Sequence, residues 1–183
     1  REIKRFCESF MNELYRHIGP DKDVPAGDIG VSGKEIGYLF GHYRRLKGAY
    51  ENGVITGKGF NYGGSRIRPE ATGYGVTYFV QEMLKDMGET IVGKKVAVSG
   101  YGNVAWGACK KITELGGKVV TISGKAGYVY APNGLTEEQV EYMLVLRSNR
   151  DVTLKDFASK FGLEFLTKGL KAEVMFSYDA SEG

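Results

Sequence analysis

Cysteine and histidine are scarce: the chain of 183 residues holds only Cys7, Cys109, His17 and His42. The cysteines lie far apart and form no CxxC pair. That excludes a disulfide framework and a zinc cluster, and leaves reduced thiols in a cytoplasm as the simpler reading. The histidines stand in no metal-ligand pattern, so no metal is expected. Long apolar runs are missing as well. None approaches the roughly 20 residues that span a bilayer, and no secretory signal opens the chain, so no membrane partner is expected. Charge of one sign is also short. A net charge of +3, scattered and without a basic run interleaved with aromatics, excludes nucleic acid as a partner. There is no internal repeat or low-complexity segment. Arg1 leads straight into an amphipathic helix with no preceding start signal, an opening that a natural start and a chain cut from a longer one share.

What is present suffices for a packed core. Hydrophobic residues make up 42% and charged residues 26%, and the length allows one domain or parts of two. Ile3, Phe6, Cys7, Phe10, Met11 and Leu14 fall on one helical face, and Gly19-Pro20 ends that helix. Ser32 with Glu35 has the form of a capping box, opening a helix to about Tyr50. Residues 53–64 are glycine-rich and irregular. Pro69 and Glu70 suit the first turn of a helix running toward Met87. Residues 95–99 read as a buried strand, 103–115 as a helix and 118–123 as a second strand. Thr136 with Gln139 caps a further helix, Thr153 starts a shorter one ending near Gly162, and 172–176 reads as a third strand. Strands alternating with helices from residue 95 onward predict an α/β fold with a parallel sheet covered by helices.

Three clusters carry chemistry. Gly100-Tyr101-Gly102-Asn103-Val104-Ala105 is a GxGxxA that follows a strand and opens a helix, the context expected of a dinucleotide site. Gly100 permits the tight turn, Gly102 lets a pyrophosphate approach the backbone, and Ala105 lets helix and strand pack closely. The helix N-terminus then offers amide donors and a positive dipole end. A plain strand–turn–helix connection has the same form. In the loop 23–30, Asp28 sits among small, rigid and apolar neighbours. Desolvation there can raise a carboxyl pKa into the range useful for proton transfer. A turn aspartate bonding its own backbone is the alternative, and the residues by themselves favour it. The third cluster is Thr56-Gly57-Lys58-Gly59 with Gly63-Gly64-Ser65 and Arg68-Pro69-Glu70-Ala71-Thr72-Gly73. Close-spaced glycines admit a ligand to the backbone, Thr56 and Thr72 offer short hydroxyls, and Lys58 and Arg68 can pair with anions. A flexible linker before a helix start is the plainer reading of any one of these residues.

Together, DVPAGDIG, TGKG, GGSRIRPEATGYG and SGYGNVAWG, in this order and spacing, resemble the hexameric glutamate dehydrogenases over residues 1 to about 166. PAGDIG and PEATGYG argue against the related leucine and phenylalanine dehydrogenases. The resemblance implies that residues 1–62 are the C-terminal part of a substrate-binding and assembly domain. Residues 63–183 would then be the first half of a Rossmann-type dinucleotide-binding domain. It implies NAD or NADP as cofactor, L-glutamate, 2-oxoglutarate and ammonia as substrates, and a homohexamer. Asp28 matches the aspartate that moves protons, Thr56 a threonine at the substrate site, and Thr72 and Asn103 cofactor contacts. Gly100 and Gly102 match the phosphate turn. Lys58 and Arg68 remain structural or supporting, and Trp106 and Cys109 look like helix packing.

Two features depart from the family. No GGxKGG segment with the substrate-binding lysines is present, and the third strand continues into residues 175–183 rather than a PCATQNE-like stretch. The chain is therefore expected to be an internal fragment, inactive alone. The rival readings are a non-catalytic nucleotide-binding module and an amino-acid dehydrogenase for an apolar substrate. For cofactor choice, no acid stands at the expected end of the second strand. Gly124 leaves space there and Lys125 can offset a 2′-phosphate, although Lys125 is equally a solvated turn residue. Tyr101 is bulky where NADP-preferring members more often carry serine, so dual use of NAD and NADP is expected.

Overall fold

The computed structural model describes residues 1–28, 30–66, 68–149, 152–167 and 174–176, the last three by their backbone alone. They divide into two compact units, Arg1–Ile67 and Arg68–Glu182.

The first unit holds helices α1 (Glu2–Leu14) and α2 (Gly33–Lys47) and a 3-10 turn, Phe60–Tyr62. Its core gathers Met11, Ile18, Ile36, Phe40, Tyr43, Val54 and Ile55. The capping box expected at the start of α2 is formed: the Ser32 hydroxyl accepts from the Lys34 amide, and Glu35 accepts the Ser32 N–H at 3.0 Å. The helix stops at Lys47, earlier than the sequence pattern suggested, because Gly48 takes the left-handed conformation (φ 66°) that closes it. The apolar face of α1 is wider than its buried strip. Cys7 and Met11 are buried, whereas Ile3, Phe6 and Phe10 are 54%, 69% and 48% exposed. Helical periodicity marks a face as apolar but does not say how much of it a neighbour covers.

The second unit contains α3 (Ala71–Asp86), β1 (Lys95–Val98), α4 (Asn103–Glu114), β2 (Lys118–Gly124), β3 (Gly127–Tyr130), α5 (Glu137–Ser148), α6 (Leu154–Phe161), β4 (Glu164–Leu166) and β5 (Val174–Phe176). The strands form one sheet in the order β4-β3-β2-β1-β5. β1 lies parallel to β2 and β5, but β3 runs antiparallel to both β2 and β4. The expected all-parallel sheet is thus corrected to a mixed one. The reason is local: Gly124 pairs with Gly127 across Lys125 and Ala126, and so short a connection can only reverse the chain. The third expected strand is found over Val174–Phe176, while 172 and 173 lie outside the described residues.

Val96 and Val98 of β1, Val119 and Ile122 of β2, and Cys109 and Ile112 of α4 are all at most 2% exposed and form the centre of the core. Trp106 and Cys109 face this core, as helix packing requires. α3 and α4 meet backbone to backbone. A Cβ at Gly73 would come within 2.3 Å of Ala108 N and Val104 O, and one at Gly107 within 2.7 Å of Glu70 O. Only glycine at both positions lets the two helices approach this closely.

Candidate functional site

Two of the sequence-predicted site residues, Asp28 and Thr56, belong to the first unit; Thr72, Gly100, Gly102, Asn103, Gly124 and Lys125 belong to the second.

In the first unit, the loops carrying Asp28 and Thr56 are joined directly: the Thr56 amide donates to the Pro25 carbonyl at 2.8 Å. Asp28 opens a tight turn, its carbonyl accepting the Val31 N–H at 2.8 Å. Its side chain is exposed rather than enclosed as its neighbours suggested. Gly27 lies tight against this turn: a Cβ there would meet Val31 O at 2.7 Å, so the turn closes because no side chain is present. Thr56 is exposed as well. Lys58, by contrast, is 6% exposed, and its ammonium donates to the carbonyls of Val54 (3.3 Å) and Ile55 and lies 5.3 Å from the centre of the Phe40 ring. Burial pushes its pKa down. Ile55 itself has φ 56°, the one left-handed non-glycine among the described residues.

In the second unit, Gly100 leaves β1 at φ 99°, and Gly102 is the extended N-cap of α4. Ser123, near the end of β2, braces the turn. Its hydroxyl accepts the Gly100 N–H at 3.1 Å, and its own N–H donates to the Gly100 carbonyl at 3.3 Å. This brace was not evident in the sequence; its only signal is a hydroxyl next to Gly124 at a strand end. α2, α5 and α6 are each capped by a box of their own side chains, whereas no side chain caps α4, as none caps α1 or α3. A turn lacking side chains at Gly100 and Gly102, followed by the first amides of a helix, fits a pyrophosphate group. Asn103 is the first residue of α4, and its carboxamide oxygen accepts from the Arg147 guanidinium of α5, a partner with no signal in the sequence. Thr72 lies exposed in the first turn of α3 beside Gly73, whose contact with Val104 sets these two helix starts against each other. Gly124 is half-buried at the end of β2, and Lys125 is exposed in the hairpin turn beyond it. Among the described residues, no group of three or more His, Cys, Asp or Glu is arranged to hold a metal.

Comparison with known proteins bears on both units. Residues 63–179 match the profile described as Glutamate/Leucine/Phenylalanine/Valine dehydrogenase, and residues 1–45 match that family's dimerisation domain. The chain is 57% identical over 166 residues to the NAD-specific glutamate dehydrogenase of Clostridium symbiosum, covering 90% of this chain and 37% of that protein. It is 51% identical over 164 residues to the NADP-specific enzyme of Haemophilus influenzae, covering 90% and 36%. A solved structure of a glutamate dehydrogenase superposes with a TM-score of 0.88 at 54% identity, covering 96% of this chain and 40% of that one. The chain therefore spans little more than a third of the curated relatives it matches. With its dehydrogenase profile covering most of its length, the chain belongs to the glutamate/leucine/phenylalanine/valine dehydrogenase family.

Proposed function

We propose that this segment serves an NAD(P)-dependent glutamate dehydrogenase, which converts L-glutamate and water reversibly to 2-oxoglutarate and ammonia. The observation that carries the reading is 57% identity to an NAD-specific glutamate dehydrogenase across 90% of the chain. The α-carbon of glutamate gives up a hydride and the nitrogen a proton, leaving an imine. Water adds to the imine, and the carbinolamine collapses with release of ammonia. A nicotinamide dinucleotide, when bound, supplies the acceptor for the hydride.

The chain's own residues handle position and protons. Asp28 takes a proton from the attacking water and returns it to the departing nitrogen. Thr56 offers its hydroxyl to the substrate. Gly100 and Gly102 admit the pyrophosphate to the amides of α4, and Thr72 and Asn103 hold the rest of the dinucleotide. Gly124 and Lys125 face its adenosine ribose, with a vacant space and a cation that tolerate a 2′-phosphate. The family's dimerisation profile over residues 1–45 supports self-assembly, and a homohexamer is the form the resemblance implies. Among the described residues no helix is long and apolar enough to cross a membrane, and Cys7 and Cys109 are both free thiols, which supports a cytoplasmic setting.

The test uses the full-length protein that carries this segment. Reduced nicotinamide is followed with glutamate, leucine, phenylalanine and valine as substrates. Glutamate is expected to be preferred by at least about 100-fold in kcat/KM, the scale set by leaving a polar site unpaired. Equal or better use of an apolar amino acid would overturn the reading, and cofactor binding without turnover of any of the four would mark a binding module.

A further inference from the structure

Burying a lysine is costly, because its charge is taken out of water and must be offset by hydrogen bonds. Lys58 makes two, to Val54 O and Ile55 O, with the Phe40 ring against its head. These acceptors are the carbonyls of the two peptide groups that flank Ile55. The torsions φ and ψ of a residue are the angles that relate its two flanking peptide planes. One ammonium bonded to both carbonyls therefore restrains the orientation of the two planes relative to each other, and with it the torsions of Ile55. Ile55 is a β-branched residue held left-handed at φ 56° and 1% exposed, a conformation its own side chain disfavours. The second of these planes also carries the Thr56 N–H, which donates to Pro25 O at 2.8 Å. The same peptide group is thus bound on one side by Lys58 and on the other by the loop that leads to Asp28. Gly64 closes the arrangement, since a Cβ there would lie 1.9 Å from Lys58 O.

We propose that Lys58 is a positioning residue: its ammonium locks Ile55 in the left-handed conformation and thereby sets Thr56 and the Asp28 loop in register for catalysis. The assignment rests on the roles given above to Thr56 and Asp28. Lys58 does not touch substrate in this scheme and acts through the backbone alone.

The test compares Lys58→Met, which removes the donors, with Lys58→Met/Ile55→Gly, in which residue 55 adopts a positive φ unaided. Both are made in the full-length enzyme. Lys58→Met is expected to lower kcat at least about tenfold, for glutamate and for uncharged norvaline alike, with cofactor KM unchanged, as misplacement of a site predicts. Adding Ile55→Gly is expected to restore part of that loss. Amide exchange at Thr56 should quicken in Lys58→Met, a readout independent of turnover. If the methionine variant does not fold, Lys58→Gln, which keeps a weaker donor, is expected to show the same two changes in smaller degree. A lowered melting temperature with unchanged kcat and unchanged Thr56 exchange would make Lys58 merely structural and overturn the proposal. A loss confined to glutamate KM and spared with norvaline would make it a direct carboxylate ligand instead. Absence of glutamate turnover in the wild type would defeat the proposed function, while Thr56 exchange would still decide the role of Lys58.

Discussion

Asp28 is exposed, and its carbonyl opens a tight turn by accepting the Val31 N–H. If it moves the protons, Asp28→Asn in the full-length enzyme lowers kcat by at least about 100-fold, the usual scale of general acid–base catalysis, and leaves cofactor affinity unchanged. Initial rates with titrated cofactor check both, and retained turnover or a collapse of cofactor affinity would remove Asp28 from its role. Lys125 makes the second residue-scale prediction. It stands exposed in a two-residue turn at the end of β2, where a charge can reach a ribose phosphate without being buried. Lys125→Glu is expected to raise KM for NADP several-fold more than KM for NAD, through like-charge repulsion screened by solvent. An equal response of the two cofactors would show that Lys125 does not face the 2′ position.

At the scale of elements, the contact of α3 with α4 offers a comparison inside one helix. Gly73 and Gly75 are both in α3, but a Cβ at 73 strikes the backbone of α4 while one at 75 meets nothing within 4 Å. Gly73→Ala is expected to destabilise the second unit by about 1–3 kcal/mol through overpacking. Gly75→Ala is expected to stabilise it by about 0.5–1 kcal/mol through helix propensity. Denaturant midpoints of the two variants check the pair, and a shared sign would show that the close approach of the helices is not what fixes Gly73. The elements also divide by how far the sequence announced them. Helix starts at Ser32 and Thr136 were legible because a capping box is a short pattern satisfied within four residues. The end of β2 and the glycine turn were legible for a similar reason, a strand followed at once by its breaker. The reversal into β3 was not: its turn, Lys125-Ala126, lacks the asparagine–glycine pair that signals a hairpin, and β4 spans three residues, too few to show alternation. Ser123 and Arg147 escaped because each acts through a partner 23 or 44 residues away. The exposure of Ile3, Phe6 and Phe10 depends on neighbouring surface, which periodicity does not record.

At the scale of the whole molecule, the sequence contains no GGxKGG segment to pair with the two carboxylates of glutamate. Each missing charge-assisted hydrogen bond weakens binding by about 1.5–3 kcal/mol, so this chain alone is expected not to turn over glutamate. An assay of reduced cofactor with glutamate in excess checks this, and turnover at an ordinary rate of about 1–1000 per second would contradict it. The order of the sheet bears on how the chain is made. β1 lies between β2 and β5, with Val96, Ala97 and Val98 buried, and its two neighbours arrive at very different times during synthesis. Pairing with β2 becomes possible once residue 124 has left the ribosome, but the other side of β1 has no partner until Val174–Phe176 follow. Through that interval the nascent chain carries an apolar strand with one row of backbone donors and acceptors open, a surface that recruits foreign strands or chaperones. A pause or a premature stop between residues 125 and 173 would therefore give aggregate rather than a smaller folded product.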